Sequence, residues 1–148
     1  MRFTMGIIEA VCISEKKGMV KQAQEQVELK KDWGICGDAH AGRWHRQVSL
    51  LAGESIDQVK NIIPSLKDGA FAENLITRGI NLDSLPIGSR LRVGESAVLQ
   101  ITQIGKECHN SGCAIKKATG DCIMPREGIF AKVLEGGYVE PNNKIWPV

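Results

Sequence analysis

The sequence predicts a mostly β fold, namely a closed and largely antiparallel β-barrel with a few short helices. Most of the chain divides into short segments rich in valine, isoleucine and leucine that are separated by glycines, a rhythm typical of barrels and sandwiches. Only one stretch places apolar residues at helical spacing. Strands do not alternate with long apolar helices, which argues against a parallel sheet built from βαβ units.

The first part of the chain predicts at least one strand and a glycine-rich loop. Gly6 to Ser14 is rich in isoleucine and valine and ends in a charged turn, so we expect a strand there. The polar stretch from Val20 to Asp32 suits a solvated strand pair or a short helix, and we favour strand. Trp33 to Gly42 contains three glycines, which predicts a loop or a strongly bent strand.

The remainder of the chain predicts one short helix and a series of strands. Arg46 to Leu51 returns to β character, and the residues from Ile56 to Ile63 then follow helical spacing until Pro64 stops them. Short segments rich in β-branched residues favour five further strands. They are Phe71 to Thr77, Arg90 to Val93, Ala97 to Ile104, Ile129 to Leu134 and Lys144 to Trp146.

Length and composition favour a single globular domain over residues 1–148. The chain has 148 residues, and domains typically have about 100–200. Apolar residues make up 43% and charged residues 24%, which is ordinary globular usage and predicts a proper hydrophobic core. The 19 basic and 17 acidic side chains leave a net charge of only +2. No nucleic-acid partner is therefore expected on electrostatic grounds.

The apolar runs and the cysteine count bear on cellular location. No run approaches the roughly 20 apolar residues of a membrane-crossing helix, so no membrane partner is expected. The amino terminus has no signal-peptide core, which predicts a cytoplasmic protein. Five cysteines are an odd number in a chain without an export signal, so reduced thiols are expected instead of a disulfide framework.

The densest group of reactive side chains follows the predicted strand Ala97 to Ile104. Cys108 has Lys106 two residues before it and His109 directly after it. Nearby cations favour the thiolate, which is the form of cysteine that attacks electrophiles and binds soft metals. The alternative is a cysteine that packs as a small apolar side chain. The polar surroundings favour the activated thiol.

The other cysteines are expected to have structural roles. Cys113 and Cys122, together with His109, raise the alternative of a zinc site. Four residues separate Cys108 from Cys113 and eight separate Cys113 from Cys122, whereas zinc ligands usually come in pairs about two to four residues apart. The spacing therefore argues against zinc. Cys12 in the first strand is expected to be a core thiol, and Cys36 is expected to be structural as well.

A second polar group lies in the glycine-rich loop and just after it. Asp38, His40, His45 and Arg46 suggest an anion or phosphate site, because arginine offers a planar fork of donors and the nearby glycines let backbone amides approach a ligand. A solvated turn of ordinary polar residues is the alternative. Glu73-Asn74 places two polar groups in an apolar segment, where they either anchor internal hydrogen bonds or line a pocket.

Several common catalytic motifs are not found in the sequence. It contains no GxxxxGK[ST] phosphate loop, no GxGxxG fingerprint after a strand and no GxSxG nucleophile elbow. Hydrolysis of nucleoside triphosphates, dinucleotide chemistry and serine hydrolysis are therefore not expected.

Five ordered motifs together resemble the MOSC domain, which is named after the carboxy-terminal domain of molybdenum cofactor sulfurases. The resemblance extends from about Gly6 to the end of the chain and is to the small stand-alone bacterial members. The motifs are Gly37-Asp38-Ala39-His40-Ala41-Gly42, Arg46-Gln47-Val48-Ser49-Leu50-Leu51, Phe71-Ala72-Glu73-Asn74-Leu75 with Gly79-Ile80, Ile87-Gly88-Ser89-Arg90-Leu91-Arg92-Val93-Gly94, and Cys108.

The resemblance implies a β-barrel that binds the pterin-based molybdenum cofactor (molybdopterin) and uses one key cysteine, which Cys108 matches. Sulfurase relatives are proposed to carry sulfur on this cysteine as a persulfide. Relatives that reduce N-hydroxylated compounds are understood to use it as a molybdenum ligand. The resemblance also suggests residues that would bind the cofactor: His40, Arg46 and Asn74, with Lys106 and His109 beside the cysteine.

Two functions follow as expectations from this resemblance. The favoured one is a molybdenum cofactor-binding module in cofactor handling or sulfuration, with a cysteine desulfurase, a cofactor-biosynthesis protein or a molybdoenzyme as its partner. The alternative is a self-sufficient molybdoenzyme that reduces N-hydroxylated compounds with electrons from a partner. The chain departs from the family at Glu107, where some relatives have proline, and at Ala72, where some have glycine. It shows no aminotransferase-like domain, so no pyridoxal phosphate site is expected.

Overall fold

The computed structural model describes residues 5–105 and 128–148, which form mostly β-strands. In this part of the chain one α-helix, α1 (Gly53–Lys60), and a 3₁₀ turn (Leu82–Ser84) accompany the strands. None of the described helices has the length and apolar character to cross a membrane. The strands are β1 (Gly6–Ile13), β2 (Gln22–Gln24), β3 (Val27–Lys30), β4 (Gly34–Ile35), β5 (Val48–Ala52), β6 (Leu75–Arg78), β7 (Arg90–Val93), β8 (Ala97–Ile104), β9 (Ile129–Glu135), β10 (Gly137–Val139) and β11 (Lys144–Pro147).

Seven of these strands close into a barrel. The order of pairing is β11, β7, β8, β9, β5, β6, β1, and the ring closes because β1 also pairs with β11 through Gly6 and Ile7. The strand β2 pairs with the far end of β1, while β10, β3 and β4 form a separate three-stranded sheet. All but one of the barrel pairings are antiparallel. The predicted closed, largely antiparallel barrel is confirmed.

The exception is the parallel pair of β5 and β6, which α1 connects. Parallel neighbours need a crossover connection because a tight turn cannot join them, and α1 provides part of that crossover. Arg78 ties the helix to the barrel: its Nε donates to Glu9 Oε1 at 2.6 Å, and its Nη1 donates to Asp57 Oδ2 at 3.0 Å. One βαβ unit is thus built into an otherwise antiparallel barrel.

One predicted strand begins later than the sequence pattern indicates. The segment Phe71 to Thr77 reads as β, but the strand starts at Leu75. The preceding residues form a turn, with Ala72 in the left-handed region at φ +62°. The carboxylate of Glu73 draws this turn together by accepting the backbone N–H groups of Gly69 and Phe71 at 2.9 and 2.8 Å. Strand β10 was also not predicted.

Two apolar clusters lie on opposite sides of the barrel wall. Leu50 and Leu75 belong to the cluster inside the barrel, whereas their neighbours Leu51 and Ile76 belong to a second cluster outside it. Successive side chains of a strand point to opposite faces, so adjacent leucine and isoleucine residues can serve both clusters. The outer cluster also includes Ile56 of α1. This double burial explains why these strands read as continuous apolar runs.

Candidate functional site

The loop between β4 and β5, residues 36–47, carries most of the polar residues that the sequence analysis selected. Its two ends approach closely at Gly34, where φ is +126° and an added Cβ would lie 2.8 Å from the carbonyl oxygen of Gln47. Only glycine fits such an approach without displacing the backbone. Within the loop, the N–H of Ala39 donates to the carbonyl of Ser14 at 2.8 Å. The loop is therefore fastened to the residue that follows β1.

Lys21 and Asp38 form an ion pair that is completely buried beneath this loop. Lys21 Nζ lies 2.7 Å from Asp38 Oδ1, and neither side chain has exposed surface. The ammonium also donates to Ser14 Oγ at 3.1 Å and to His40 Nδ1 at 3.0 Å, so its three N–H groups all have acceptors. We refer to Ser14, Lys21, Asp38 and His40 as the loop cluster.

The carboxylate of Asp38 is satisfied as completely as the ammonium. Its Oδ1 accepts the backbone N–H of Ser14 at 3.1 Å, and its Oδ2 accepts the backbone N–H of His40 at 3.1 Å. A buried charge without partners costs several kcal/mol (~3–5 when one member of a pair is removed), whereas a fully bonded pair is tolerated. The loop cluster therefore keeps two opposite charges under the loop in one fixed arrangement.

Aromatic rings extend the loop cluster toward solvent. The side chain of His40 is 26% exposed, and its ring is parallel to that of Trp44 within 8°, with 6.5 Å between the ring centres. The indole N–H of Trp44 donates to the carbonyl of His40 at 2.8 Å. His45 meets the Trp44 ring edge-on at 5.8 Å, and Lys17 Nζ lies 4.9 Å from its centre. Aromatic faces and cations together suit flat, anionic ligands.

Arg46 and His45 join this loop to the end of β8. Arg46 Nε donates to Gln103 Oε1 at 3.0 Å, and His45 Nε2 contacts the same oxygen at 2.8 Å. Because an amide oxygen can only accept, His45 carries its proton on Nε2. The guanidinium of Arg46 also lies 5.4 Å from the centre of the Phe130 ring in β9. Both residues are therefore positioned on the outer surface of the β8–β9 pair.

The side-chain amide of Gln103 also bonds to Gly105, which lies three residues before Cys108 in the sequence. Gln103 Nε2 donates to the carbonyl of Gly105 at 2.7 Å, and the N–H of Gly105 donates to the carbonyl of Gly128 at 2.6 Å. Gly105 and Gly128, the described residues on either side of the segment 106–127, are thus bonded to each other at the end of the β8–β9 pair. Cys108, Lys106 and His109, together with the alternative zinc ligands Cys113 and Cys122, lie outside the described residues, so their predicted roles stay predictions.

Asn74 occupies a different polar cluster, between β1, β5 and β6. Its Oδ1 accepts the N–H of Ser49 at 2.9 Å and the Ser49 hydroxyl at 3.2 Å, and its Nδ2 donates to the carbonyl of Cys12 at 3.0 Å. Its side chain is fully buried. We refer to Cys12, Ser49 and Asn74 as the brace cluster. The geometry favours a supporting role for Asn74, and its predicted contact with a cofactor stays a prediction.

Glu73 is an internal anchor, which decides between the two roles left open for it. It has no exposed surface and holds the turn at residues 69–71 through two backbone N–H groups. Burial raises the pKa of its carboxyl group, and the backbone hydrogen bonds oppose that rise. Its contacts stabilise the turn that precedes β6.

The two described cysteines differ sharply in exposure. Cys12 is completely buried, as expected for a core thiol, and burial together with the charges of Glu73 and Asp68 raises its pKa to about 12. Cys36 is exposed, so it is not a core thiol like Cys12, and its expected structural role stays a prediction. The strand that precedes it, β4, has only two residues, and the chain turns out to the surface immediately afterwards.

The structure brings His40 and Arg46 onto one loop, whereas the hydrogen bonds of Asn74 go to the barrel wall. Sequence reasoning missed Lys21, because a lysine in a polar stretch reads as solvated, and it missed Gln103 for the same reason. Trp44 carried a usable signal: a tryptophan between two basic residues in a glycine-rich loop is typical of a binding surface.

Among the described residues, the predicted site residues belong neither to a metal-binding group nor to the cavity beside α1. Residues 5–105 and 128–148 contain no group of three histidine, cysteine, aspartate or glutamate side chains that could hold a metal ion. A cavity of about 320 Å³ lies between the start of α1 and the 3₁₀ turn, with Glu54, Asn81 and Asp83 in its wall. None of the predicted site residues lines it.

Comparisons with solved structures show the same fold in other proteins. YuaD from Bacillus subtilis superposes with a TM-score of 0.81 at 20% identity, covering 99% of this chain and 97% of that one. YiiM from Geobacillus stearothermophilus gives 0.68 at 16% identity, covering 97% of this chain and 75% of that one. YiiM from Escherichia coli gives 0.59 at 20% identity, covering 100% and 70% respectively. The sequence model of the MOSC domain matches residues 37–146, most of the chain, and the protein therefore belongs to the MOSC domain family.

Proposed function

We propose that this protein binds the molybdenum cofactor on the outer surface of the loop at residues 36–47, with Cys108 as molybdenum ligand or as persulfide sulfur carrier. One observation carries the proposal. Arg46 and His45 share the amide oxygen of Gln103, whose nitrogen is bonded to Gly105, three residues before Cys108. The donor-rich loop therefore contacts the end of β8 close in sequence to the position that matches the key cysteine of the family.

The side chains of the loop fit the chemistry of the cofactor. Arg46 is bonded to Gln103 through Nε, so its two terminal nitrogens form the fork that suits a phosphate. Trp44, together with Lys17 above its ring, offers a flat and positively charged surface for a pterin. His40 adds an imidazole between the buried ion pair and solvent. These residues would hold the cofactor, while Asn74 would support the wall behind it.

Cys108 would supply the sulfur in either role. Bound molybdenum provides redox chemistry and an affinity for thiolate sulfur. Lys106 and His109 favour the thiolate, and Glu107 opposes it, so the balance of these charges sets how readily Cys108 ionises. As a carrier, the Cys108 thiolate would take the outer sulfur from a desulfurase persulfide, whose own cysteine leaves as a thiolate.

The test is expression in cells that synthesise the cofactor, followed by assay of bound molybdenum, pterin and persulfide sulfur. The wild-type chain is compared with Cys108→Ala and with Cys36→Ala, a control that removes an exposed cysteine at the first position of the loop, where it is not one of the side chains assigned to the cofactor. We expect the wild type and Cys36→Ala to retain metal and pterin, and Cys108→Ala to lose metal or persulfide. Equal loading of all three chains would overturn the role of Cys108.

The outcomes also separate the two roles of the cysteine. Persulfide on Cys108 after incubation with a cysteine desulfurase, without stable metal, supports the carrier. Metal that requires Cys108, with turnover of an N-hydroxylated compound by an added electron donor, supports the enzyme. A wild-type chain with no metal, pterin or persulfide under any of these conditions contradicts the proposal as a whole.

A further inference from the structure

We propose that Gln103 is a positioning residue that fixes Arg46 for an anionic group of the ligand without neutralising its charge. A β-bulge at Thr102 brings the amide of Gln103 to the outer surface of the barrel. The inference rests on the proposed function for the identity of the ligand, whereas the state of Arg46 can be measured without it. Gln103 acts through Arg46 and does not itself have to touch the ligand.

The bulge lies where β8 pairs with β9. Ile101 pairs with Ala131, and Gln103 pairs with Phe130, so Thr102 is an extra residue on β8. Ile101 and Ala131 belong to the cluster inside the barrel, whereas Phe130 belongs to the outer cluster. Residues that pair directly point to the same face of a sheet, so Gln103 lies outside with Phe130. Without the extra residue, the alternation of side chains would turn Gln103 toward the apolar interior.

The bulge also turns Thr102 toward the loop at residues 36–47. The Thr102 hydroxyl donates to the carbonyl of His45 and lies 3.2 Å from the carbonyl oxygen of Phe130. Two consecutive side chains of β8 therefore face the same part of the loop, which regular strand alternation does not allow. Bulges commonly redirect side chains in this way beside functional sites.

The amide of Gln103 fits its partners in only one orientation. Its Oε1 accepts from Arg46 Nε at 3.0 Å and from His45 Nε2 at 2.8 Å. Its Nε2 donates to the carbonyl of Gly105 at 2.7 Å. The reverse orientation would set the amide N–H groups against the N–H of Arg46, and the amide oxygen against the oxygen of Gly105. The acceptor for Arg46 is therefore fixed in direction by the strand that carries it.

Arg46 is restricted on one side while its charge stays available on the other. Its Nε is bonded to Gln103, and its guanidinium lies 5.4 Å from the centre of the Phe130 ring. The next residue, Gln47, is fully buried and accepts the backbone N–H of Val133 at 2.9 Å. Among the described residues, Arg46 forms no ion pair and its terminal nitrogens make no hydrogen bond. A fork that is already oriented loses less conformational freedom when it binds a phosphate.

The chemical nature of the acceptor matters as much as its position. The amide oxygen of Gln103 carries only a partial charge, so it orients the guanidinium without cancelling the positive charge. A carboxylate at this position could accept the same N–H groups, but it would form an ion pair with Arg46. Its negative charge would then repel the anionic group of the ligand. Glutamine thus provides direction and keeps the charge.

The primary test is ¹⁵N relaxation of the arginine Nε–H groups in the folded wild-type protein. The Arg46 signal is assigned by its loss in Arg46→Met, and Arg43, whose side chain is 84% exposed, is the internal comparison. We expect Arg46 to have the order parameter of a rigid N–H group, about 0.85, and Arg43 to have a value below about 0.6. A value for Arg46 no higher than that of Arg43 overturns the proposal without any variant of Gln103.

The second test measures the affinity for inorganic phosphate through the Arg46 signal in two variants of Gln103. Gln100→Met is the control, because it removes an amide from the same strand. We expect Gln103→Met to make Arg46 mobile and to weaken binding about threefold to tenfold, the cost of ordering one long side chain. Gln103→Glu should keep Arg46 rigid and weaken binding at least about tenfold, because its charge opposes the phosphate. Gln100→Met should match the wild type.

The contrary outcomes identify which part of the proposal fails. Unchanged mobility of Arg46 and unchanged affinity in folded Gln103→Met contradict the positioning role. Wild-type affinity in folded Gln103→Glu contradicts the need for a neutral acceptor. A wild-type Arg46 signal that does not respond to phosphate overturns the anionic ligand. If neither variant folds, the relaxation and the phosphate titration of the wild type decide.

Failure of this inference is distinguishable from failure of the proposed function. A protein with a rigid Arg46 that responds to phosphate but never retains molybdenum or pterin keeps the positioning role and loses the cofactor. A protein that retains the cofactor while Arg46 is as mobile as Arg43 keeps the proposed function and loses the role of Gln103.

Discussion

The brace cluster and the loop cluster each include a residue at the end of β1, and these two residues are only two positions apart. The clusters differ in where their polar atoms point. The brace cluster includes Cys12, and there the side chain of Asn74 bonds to the backbone of Cys12 and Ser49 and to the Ser49 hydroxyl, all within the barrel wall. The loop cluster includes Ser14, and there a buried ion pair leads outward to His40, which is 26% exposed.

The two clusters differ in how far their polar side chains reach toward solvent. Buried polar groups that are all satisfied by the chain stabilise the fold and have nothing left for a ligand. In the loop cluster, the buried ion pair is bonded to an imidazole whose side chain is 26% exposed. We therefore expect substitutions in the motif that contains Asn74 and in the motif that contains His40 to have different effects.

The largest expected effect is on the buried ion pair of the loop cluster. Asp38→Ala leaves the ammonium of Lys21 buried without its counter-ion, and removal of one partner from such a pair typically costs ~3–5 kcal/mol. Urea unfolding should show this loss, whereas Asp83→Ala, at an exposed aspartate, should change stability by less than about 0.5 kcal/mol. Similar losses in both variants would mean that the pair contributes no more than a surface charge.

The next effect concerns the reactivity of two thiols, Cys12 in the brace cluster and the exposed Cys36 in the loop that carries His40. The pKa of Cys12 is raised from 9.0 to about 12, which lowers its thiolate fraction at pH 8 roughly a thousandfold. Alkylation followed by peptide mapping should therefore modify Cys36 in the folded protein and Cys12 only after unfolding. Equal modification rates would contradict the burial of Cys12.

The same shift predicts the direction of a pH dependence. The folded chain keeps Cys12 as a neutral thiol, so its contribution to the free energy of unfolding is complete below pH 9 and is lost as the pH rises toward 12. Replacing Cys12 with alanine should make the unfolding free energy less dependent on pH in that range. Thermal unfolding of both chains between pH 8 and 11 measures the difference.

A smaller effect is expected for the brace cluster. Asn74→Ala leaves the N–H of Ser49 and the carbonyl of Cys12 buried without their partners, at about 1–3 kcal/mol for each unsatisfied group. We expect a total loss of about 2–4 kcal/mol in urea unfolding. Asn81→Ala is the matched control, because Asn81 is exposed and its side chain makes no capping hydrogen bond. A loss confined to cofactor retention would instead make Asn74 a ligand-binding residue.

The smallest effect on stability is expected at the outer edge of the loop. Arg46→Met removes a partly exposed guanidinium and one hydrogen bond to Gln103, and should cost less than about 1 kcal/mol. Under the proposed function, however, it should lower the retained molybdenum and pterin. Normal retention in a folded Arg46→Met chain would remove Arg46 from the proposed binding surface.

Much of the fold could be predicted because burial leaves a direct pattern in the sequence. The bounds of β7 and β8 agree with the expectation, since β-branched residues and flanking glycines mark them. The start of β6 was not predictable, because the turn at residues 69–74 is set by a carboxylate that reaches back to the N–H groups of Gly69 and Phe71. The parallel pairing of β5 with β6 likewise depends on the packing of α1, which short-range patterns do not report.

The candidate site was predictable only in part, for a related reason. His40 and Arg46 stand in recognisable motifs, and the structure places both on one loop. The contacts that orient them come from Lys21 and Gln103, which lie 19 and 57 residues away along the chain. A buried lysine looks like any surface lysine until its partners are known. Asn74 belonged to an equally recognisable motif, yet its bonds go to the barrel wall.

The hydrogen bond between Gly105 and Gly128 has a consequence for how this family can diversify. It joins the described residues on either side of the segment 106–127, on a strand pair whose pairing already extends to Ile104 and Ile129. Each doubling of the length of a connecting segment adds only about 0.6 kcal/mol of closure entropy. Residues between these two glycines can therefore change in kind and in number at little cost to the strand pair.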